Sequence, residues 1–141
     1  LPILLASKDG KWISAVHAGW RGLVSGVIEN AFLGYPGNAN NLMAWLGPAI
    51  SQKHFEVGQD VYDAFVQINI NDQLAFKTSQ LHKNKYYADL FLLAKQRLQR
   101  LGVGDIYNSQ QCTYSNPELY YSYRRERGTP ERLITIIWMN N

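Results

Sequence analysis

Apolar residues recur along the chain at two spacings, one typical of β-strands and one typical of amphipathic helices. Short apolar runs bounded by turn residues predict early strands over 1–7, 11–16 and 42–46. The pair Asp9-Gly10 predicts a hairpin turn between the first two. Three later apolar runs also predict strands, over 106–107, 119–123 and 133–139.

Three longer stretches carry apolar residues at helical spacing and predict amphipathic helices, over 23–32, 57–68 and 86–101. In the last of them Asp89 lies near the start, and Gly102 sits where a C-terminal cap belongs. Residues 69–84 are polar, and we expect irregular structure there. The alternation of strands and helices predicts a mixed α/β domain.

The composition places limits on the fold and on the partners. A chain of 141 residues that is 46% hydrophobic suits one globular domain over 1–141 with a sizeable core. A net charge of +3 is too small to argue for nucleic acid as a partner. No apolar run approaches the roughly 20 residues of a membrane helix. The single cysteine, Cys112, excludes an internal disulfide and favours a reducing, cytoplasmic compartment.

Candidate chemistry concentrates in the six residues from His17 to Gly22, where a predicted strand gives way to a predicted helix. The amide groups at a helix start attract anions, and Arg21 adds a permanently charged fork for phosphate or carboxylate. His17 suits a proton carrier or a metal ligand. The alternative is that the glycines only close a tight turn and that the histidine is structural.

The six residues His-Ala-Gly-Trp-Arg-Gly at 17–22 resemble the signature of the YfiH, or laccase-domain, family. Further stretches agree in the same order: Ala-Trp-Leu-Gly-Pro-Ala-Ile at 44–50, Phe-Glu-Val-Gly at 55–58, Cys-Thr-Tyr at 112–114, Tyr-Ser-Tyr-Arg-Arg at 121–125 and Ile-Ile-Trp at 136–138. The resemblance covers nearly the whole chain. It implies a mixed-sheet, layered α-β-β-α sandwich, which periodicity alone does not indicate.

The resemblance also implies a metal site made by two histidines and one cysteine, in proteins that are longer at the N-terminus. The last of those histidines matches His17. The other histidine lies well upstream, and the cysteine would fall one position before Leu1. We therefore interpret the chain as a C-terminal fragment of a longer protein, with zinc as the implied metal and copper as the alternative. One ligand cannot hold zinc tightly, so weak or no metal binding is expected.

For the intact protein the resemblance implies phosphorolysis of purine nucleosides, namely adenosine, inosine, guanosine and methylthioadenosine, with adenosine deamination as a second activity. In that scheme His17 is a zinc ligand and Arg21 contacts phosphate. Glu56 is a general acid/base or simply a carboxylate in the first turn of a helix. Arg124 and Arg125 are substrate contacts or part of a solvated basic face.

Three alternatives stay open: copper-dependent polyphenol oxidation, hydrolysis of wrongly built peptidoglycan precursors, and an inert fragment that keeps the fold but lacks the site.

Cys112 is interpreted as a small buried residue rather than a nucleophile. The apolar residues 1–5 are expected to form an exposed strand edge, which predicts self-association.

Overall fold

The computed structural model describes residues 1–127 and 131–140. Its strands are β1 (Pro2–Ser7), β2 (Ile13–His17), β3 (Leu42–Leu46), β4 (Glu56–Gly58), β5 (Phe76–Thr78), β6 (Lys85–Ala88) and β7 (Asp105–Asn108). Its α-helices are α1 (Trp20–Val24), α2 (Val27–Phe32), α3 (Gln59–Ile68) and α4 (Leu90–Arg100). Three short 3₁₀ turns cover Ala39–Asn41, Gln52–His54 and Ile70–Ala75.

The strands of the described residues form two sheets. The larger has four strands in the order β2-β1-β3-β7, with β1 antiparallel to both neighbours and β3 parallel to β7. The smaller has three antiparallel strands in the order β4-β6-β5. The mixed sheet and its helices confirm the predicted mixed α/β class.

The core lies on one face of the larger sheet because side chains alternate between the two faces of a strand. Every second residue of β1 and β3 is buried, and these residues pack with the buried sides of the helices: Ile3, Leu5, Leu42, Ala44, Leu46, Leu23, Ile28, Leu93 and Leu98. The opposite face of β1 and β2 is only partly covered. That face, with Pro2, Leu4 and Ala15, forms one wall of the cavity described below.

The prediction of an exposed strand edge at residues 1–5 is wrong. β1 lies inside the sheet, where Leu4 pairs with Ala15 on one side and with Trp45 on the other. Both sets of backbone groups are therefore used, and Ile3 and Leu5 are fully buried. The physical reason given for self-association does not hold at this strand.

The predicted helix over 23–32 is divided into α1 and α2. Gly26 separates them with φ 76°, a left-handed conformation that glycine adopts without steric cost. The helix predicted over 86–101 begins later, at Leu90, where the Asp89 carboxylate accepts a hydrogen bond from the Leu92 amide at 3.0 Å. It ends at the expected place, with Gly102 at φ 92°.

The smaller sheet explains two further differences. Glu56 and Val57 belong to β4, where they pair with Tyr87 and Tyr86 of β6, so the second helix begins only at Gln59. Residues 69–84, expected to be irregular, contain the turn Ile70–Ala75 and the strand β5. Both differences arise from strand pairing between segments that are distant in sequence. Local periodicity gives no information about such pairing.

The strand predicted over 119–123 is wrong because local turns use its backbone. The amides of Leu119 and Tyr120 both donate to the Asn116 carbonyl, and the Ser122 amide donates to the Glu126 carboxylate. The strand predicted over 133–139 is also wrong: these residues form no ladder with any described strand, and Ile134 is 84% exposed. A strand requires a partner as well as β-forming residues.

Within the described ranges, no helix is long and apolar enough to cross a bilayer.

Candidate functional site

A cavity of about 750 Å³ lies where the outer face of the β1–β2 pair meets the C-terminal segment. This volume falls in the roughly 300–1,000 Å³ range of small-molecule sites. Its wall includes three of the five predicted site residues, His17, Arg21 and Arg124. Glu56 and Arg125 are not part of the wall.

His17 is the last residue of β2, and its imidazole reaches the cavity wall. The turn that follows is tight: a Cβ added at Gly19 would lie 3.9 Å from His17 Nε2. Partial burial lowers the pKa of His17 below its ordinary value. The neutral form, which is the form that binds metals, therefore prevails at pH 7.

Arg21 lies in the first turn of α1, with its guanidinium 4.4 Å from the centre of the Trp20 ring. It makes no ion pair with any residue in the described part of the chain. α1 has only five residues, too short for its amide groups alone to make an anion site. The guanidinium therefore presents its positive charge at the cavity wall, where an anion could pair with it.

Arg124 reaches the same cavity from the C-terminal part of the chain. Its Nη1 donates to the Glu56 carbonyl oxygen at 3.1 Å, and its guanidinium lies 5.3 Å from the centre of the Phe55 ring. These two contacts fix the guanidinium plane and leave donors free, since arginine has five N–H groups.

Arg125 is engaged with the protein itself. Nη1 donates to the carbonyl oxygens of Thr113 and Tyr114 at 2.6 and 2.7 Å, and Nη2 donates to the Tyr120 carbonyl at 2.7 Å. Nε donates to the Glu126 carboxylate at 2.8 Å. The structure thus places Arg125 behind the wall, where it joins two turns.

The Glu56 carboxylate is bonded outside the cavity. Its Oε1 lies 2.8 Å from His82 Nδ1 and accepts a hydrogen bond from the Ser79 hydroxyl at 3.1 Å. The hydrogen bond to His82, followed by that from Ser79, holds the pKa of Glu56 below its ordinary value. At pH 7 this carboxylate has no proton to donate.

Cys112 is buried, as predicted. Burial raises the pKa of its thiol, but hydrogen bonds from Ser115 and Ser51 outweigh that effect and lower it to about 7. The Ser51 amide lies 3.4 Å from Sγ, and the Ser115 hydroxyl lies 2.8 Å from His54 Nε2. The thiol therefore has polar groups beside it.

The sequence analysis missed several polar residues of the wall: Arg132 and Thr135 from the C-terminal segment, and Thr113 and Ser122. Thr113 and Ser122 both line the cavity, and each belongs to a motif already quoted, Cys-Thr-Tyr and Tyr-Ser-Tyr-Arg-Arg. Their position within those motifs is the signal that could have identified them. Neither residue is charged or metal-ligating, so charge and ligand spacing did not mark them.

The residues present do not form a metal site by themselves. Among residues 1–127 and 131–140, no group of three or more His, Cys, Asp or Glu side chains is placed to hold a metal ion. His17 supplies one ligand, whereas a catalytic zinc site uses three protein ligands. A zinc ion at His17 therefore requires ligands from outside these residues.

Comparison with known proteins gives consistent matches. A family model described as multi-copper polyphenol oxidoreductase laccase matches residues 1–140. The purine nucleoside phosphorylase YfiH of Escherichia coli K12 is 42% identical over 139 residues, which are 99% of this chain and 56% of that protein. The purine nucleoside phosphorylase of Haemophilus influenzae is 39% identical over 138 residues, 98% of this chain and 56% of its own length.

Two crystal structures show the same fold. A protein from Neisseria meningitidis superposes with a TM-score of 0.84 at 42% identity, over 88% of this chain and 50% of its own. A hypothetical protein YfiH from Bacillus licheniformis gives a TM-score of 0.81 at 25% identity, over 90% and 49%. The chain therefore spans about half the length of the relatives it matches.

Proposed function

The chain belongs to the multi-copper polyphenol oxidoreductase laccase family, and from that membership we propose that it takes part in the phosphorolysis of purine nucleosides. The observation that carries the proposal is the cavity that His17, Arg21 and Arg124 line together. Two relatives at about 40% identity are named purine nucleoside phosphorylases, which supports this choice.

In the proposed reaction an oxygen of inorganic phosphate forms a bond to the anomeric carbon of the ribose. The carbon–nitrogen bond to the purine breaks, and its electron pair leaves with the base, which takes up the proton that the hydrogenphosphate gives up. The products are ribose 1-phosphate and the free purine. Phosphate is already an anion and needs no base to activate it, so binding and orientation are the main tasks of the site.

Arg21 is proposed to bind the phosphate, because a guanidinium matches two phosphate oxygens and this one makes no ion pair with a residue of the described part of the chain. Arg124 is proposed as a second substrate contact, held in place by Phe55 and the Glu56 carbonyl. Arg125 supports the wall behind them. Glu56 stays a predicted acid/base; since its carboxylate is ionised, it could accept a proton but not supply one.

The proposal also includes dependence on zinc and, as a second activity, the deamination of adenosine. Zinc, when bound, would supply an acidified water for deamination, and His17 is the proposed ligand in this chain. Its partners would be the histidine and cysteine that the family resemblance places upstream. Because the described residues do not complete such a site, no step of phosphorolysis is assigned to the metal.

A second candidate, copper-dependent oxidation of phenols, is favoured by the description of the matching family. It predicts turnover of phenols that depends on added copper. The relatives named for purine nucleosides favour the first candidate, and one set of assays separates the two.

The experiment measures metal content and purine release for two proteins: the chain itself, and the chain preceded by the upstream half of the Escherichia coli relative. We expect the longer protein to release adenine from adenosine in the presence of phosphate, and to bind zinc more tightly than the chain alone. Arg21→Gln should raise the KM for phosphate about tenfold or more, since a charge-assisted hydrogen bond contributes roughly 1.5–3 kcal/mol. Lys77→Gln, which removes a cation at the separate cavity near Tyr62, should leave that KM unchanged.

Failure of both proteins to release purine would refute phosphorolysis. Copper-dependent phenol turnover would then support the oxidase, and cleavage of peptidoglycan precursors would support the hydrolase. Conversion of adenosine to inosine by the longer protein, lost on removal of zinc, would establish the deaminase activity.

A further inference from the structure

Two residues of the cavity wall carry hydroxyl groups that make no hydrogen bond with any described residue. Thr113 is 7% exposed and Ser122 is 4% exposed, and both line the cavity. None of the hydrogen bonds found among the described residues involves the hydroxyl of either side chain, although their backbone groups are bonded. Neither hydroxyl oxygen is among the fully buried side-chain atoms that lack a partner, so both hydroxyls reach the cavity and are open to a polar ligand there.

Both hydroxyls stand on backbone that is firmly held. The Thr113 amide donates to the Ala49 carbonyl at 3.0 Å, and the Thr113 carbonyl accepts from Arg125 at 2.6 Å. The Ser122 amide donates to Glu126 at 2.9 Å, and its carbonyl accepts from the amides of Arg125 and Glu126. A hydroxyl on a fixed backbone is pre-organised for a ligand, since little flexibility is lost on binding.

The chemistry of the wall indicates which part of a ligand would lie there. Phosphate only accepts hydrogen bonds and is better matched by the guanidinium groups of Arg21 and Arg124. A hydroxyl both donates and accepts, which complements another hydroxyl. Of the three parts of a nucleoside and phosphate pair, the ribose is the part that carries adjacent neutral hydroxyls.

We propose that the hydroxyls of Thr113 and Ser122 bind the 2′ and 3′ hydroxyls of the ribose and make the site select ribonucleosides over deoxyribonucleosides. This inference rests on the proposed function and adds a specificity determinant to it. Ribose binding at this wall would present the anomeric carbon to a phosphate held by the cationic part of the same cavity.

The test compares kcat/KM for adenosine, 2′-deoxyadenosine, 3′-deoxyadenosine and inosine, in whichever of the two proteins above releases purine. Thr113→Val and Ser122→Ala remove one hydroxyl each with little change in shape, and Thr113→Ser keeps the hydroxyl. Thr78→Val makes the same chemical change at the separate cavity. Thermal unfolding of each variant shows that it is folded.

We expect the unaltered protein to prefer adenosine over at least one deoxy analogue by about tenfold, the effect of one buried hydrogen bond. Thr113→Val or Ser122→Ala should abolish that preference by lowering activity on adenosine alone. Thr113→Ser and Thr78→Val should preserve it.

The outcomes separate the two proposals. If purine is released but every folded variant keeps the preference for ribose, the assignment of Thr113 and Ser122 is wrong and phosphorolysis stands. A changed ratio of adenosine to inosine, with ribose preference intact, would instead place these hydroxyls at the base and also refute the assignment. Absence of purine release from both proteins would refute phosphorolysis, and the ribose site with it.

Discussion

Arg125 and Thr113 are joined by a hydrogen bond of 2.6 Å from Nη1 to the Thr113 carbonyl oxygen. The same guanidinium also holds the carbonyls of Tyr114 and Tyr120. One side chain thus ties the turn that follows the Ala49–Cys112 bridge to the turn that carries Ser122 and Arg124. The cavity wall depends on a residue that does not face the cavity.

Replacing Arg125 by alanine should destabilise the protein by roughly 3 kcal/mol, because partly buried carbonyls lose charge-assisted donors. Arg125→Lys keeps the charge but not the planar fork, and it should recover less than half of the loss. Chemical denaturation measures both free energies of unfolding. A lysine variant as stable as the original protein would show that charge, rather than the fork, holds the two turns.

Arg97 is 3% exposed and bonds Glu29 at 2.7 Å, while its Nε and Nη2 have no partner among the described residues. Arg97→Met should change the free energy of unfolding little or raise it, because an incompletely bonded buried cation is removed and Glu29 can hydrate. Glu29→Ala should lower it by roughly 3 kcal/mol, since it leaves Arg97 buried without a counter-charge. Urea unfolding measures the free energy of unfolding of both variants. A larger decrease for Arg97→Met than for Glu29→Ala would contradict this prediction.

The lowered pKa of Cys112, about 7, makes the stability of the protein depend on pH. Folding favours the thiolate, so its stabilising contribution is complete above the ordinary pKa of 9.0 and is lost as the pH falls through about 7. The difference in unfolding free energy between the protein and Cys112→Ser should therefore shrink between pH 9.5 and pH 6. A constant difference across that range would refute the lowered pKa.

Glu56 gives a second pH dependence, in the acidic range. Its pKa is held below 4.5, first by the hydrogen bond to His82 and then by Ser79. The stabilising contribution is present above pH 4.5 and is lost as the pH falls through the lowered value. Glu56→Gln should therefore be less stable than the original protein at pH 7, and this difference should narrow as the pH falls below 4.5, as followed by tryptophan fluorescence. A difference that does not narrow would indicate that packing, rather than charge, is responsible.

The sequence predicts well those elements whose start, end and apolar pattern are all set by residues of the element and its immediate neighbours. The strand over 42–46 has the predicted bounds, since turn residues flank a short apolar run, and Gly102 ends α4 as a glycine cap should. The left-handed conformation of Gly26, which divides the predicted helix over 23–32, is not indicated by the helical spacing of its neighbours.

Elements that depend on a distant partner could not be predicted. Tyr86 fits the helical spacing that continues to Leu90, yet it pairs with Val57 in a sheet. Asp72 stands isolated in the sequence, yet it is fully buried and bonds Arg100 at 2.8 Å. Both facts follow from contacts between segments far apart along the chain, for which local patterns carry no signal.

The same distinction between local patterns and distant contacts applies to the residues of the candidate site. His17 and Arg21 lie within one motif, and the structure places both at one cavity. Arg124 and Arg125 are adjacent and chemically identical, yet only Arg124 reaches the cavity wall, because the turn directs Arg125 to backbone carbonyls. Their roles in binding stay predictions until the variants are measured.

The order of strands in the larger sheet has a consequence for folding. β1 meets β2 through a short hairpin but meets β3 only after α1 and α2, and β7 joins after α4 has formed. Closing a longer loop costs more entropy, and non-local pairing slows folding. We therefore expect the β1–β2 hairpin to form early and β7 to dock last, so that an unfinished chain leaves one edge of β3 open to strands of its neighbours.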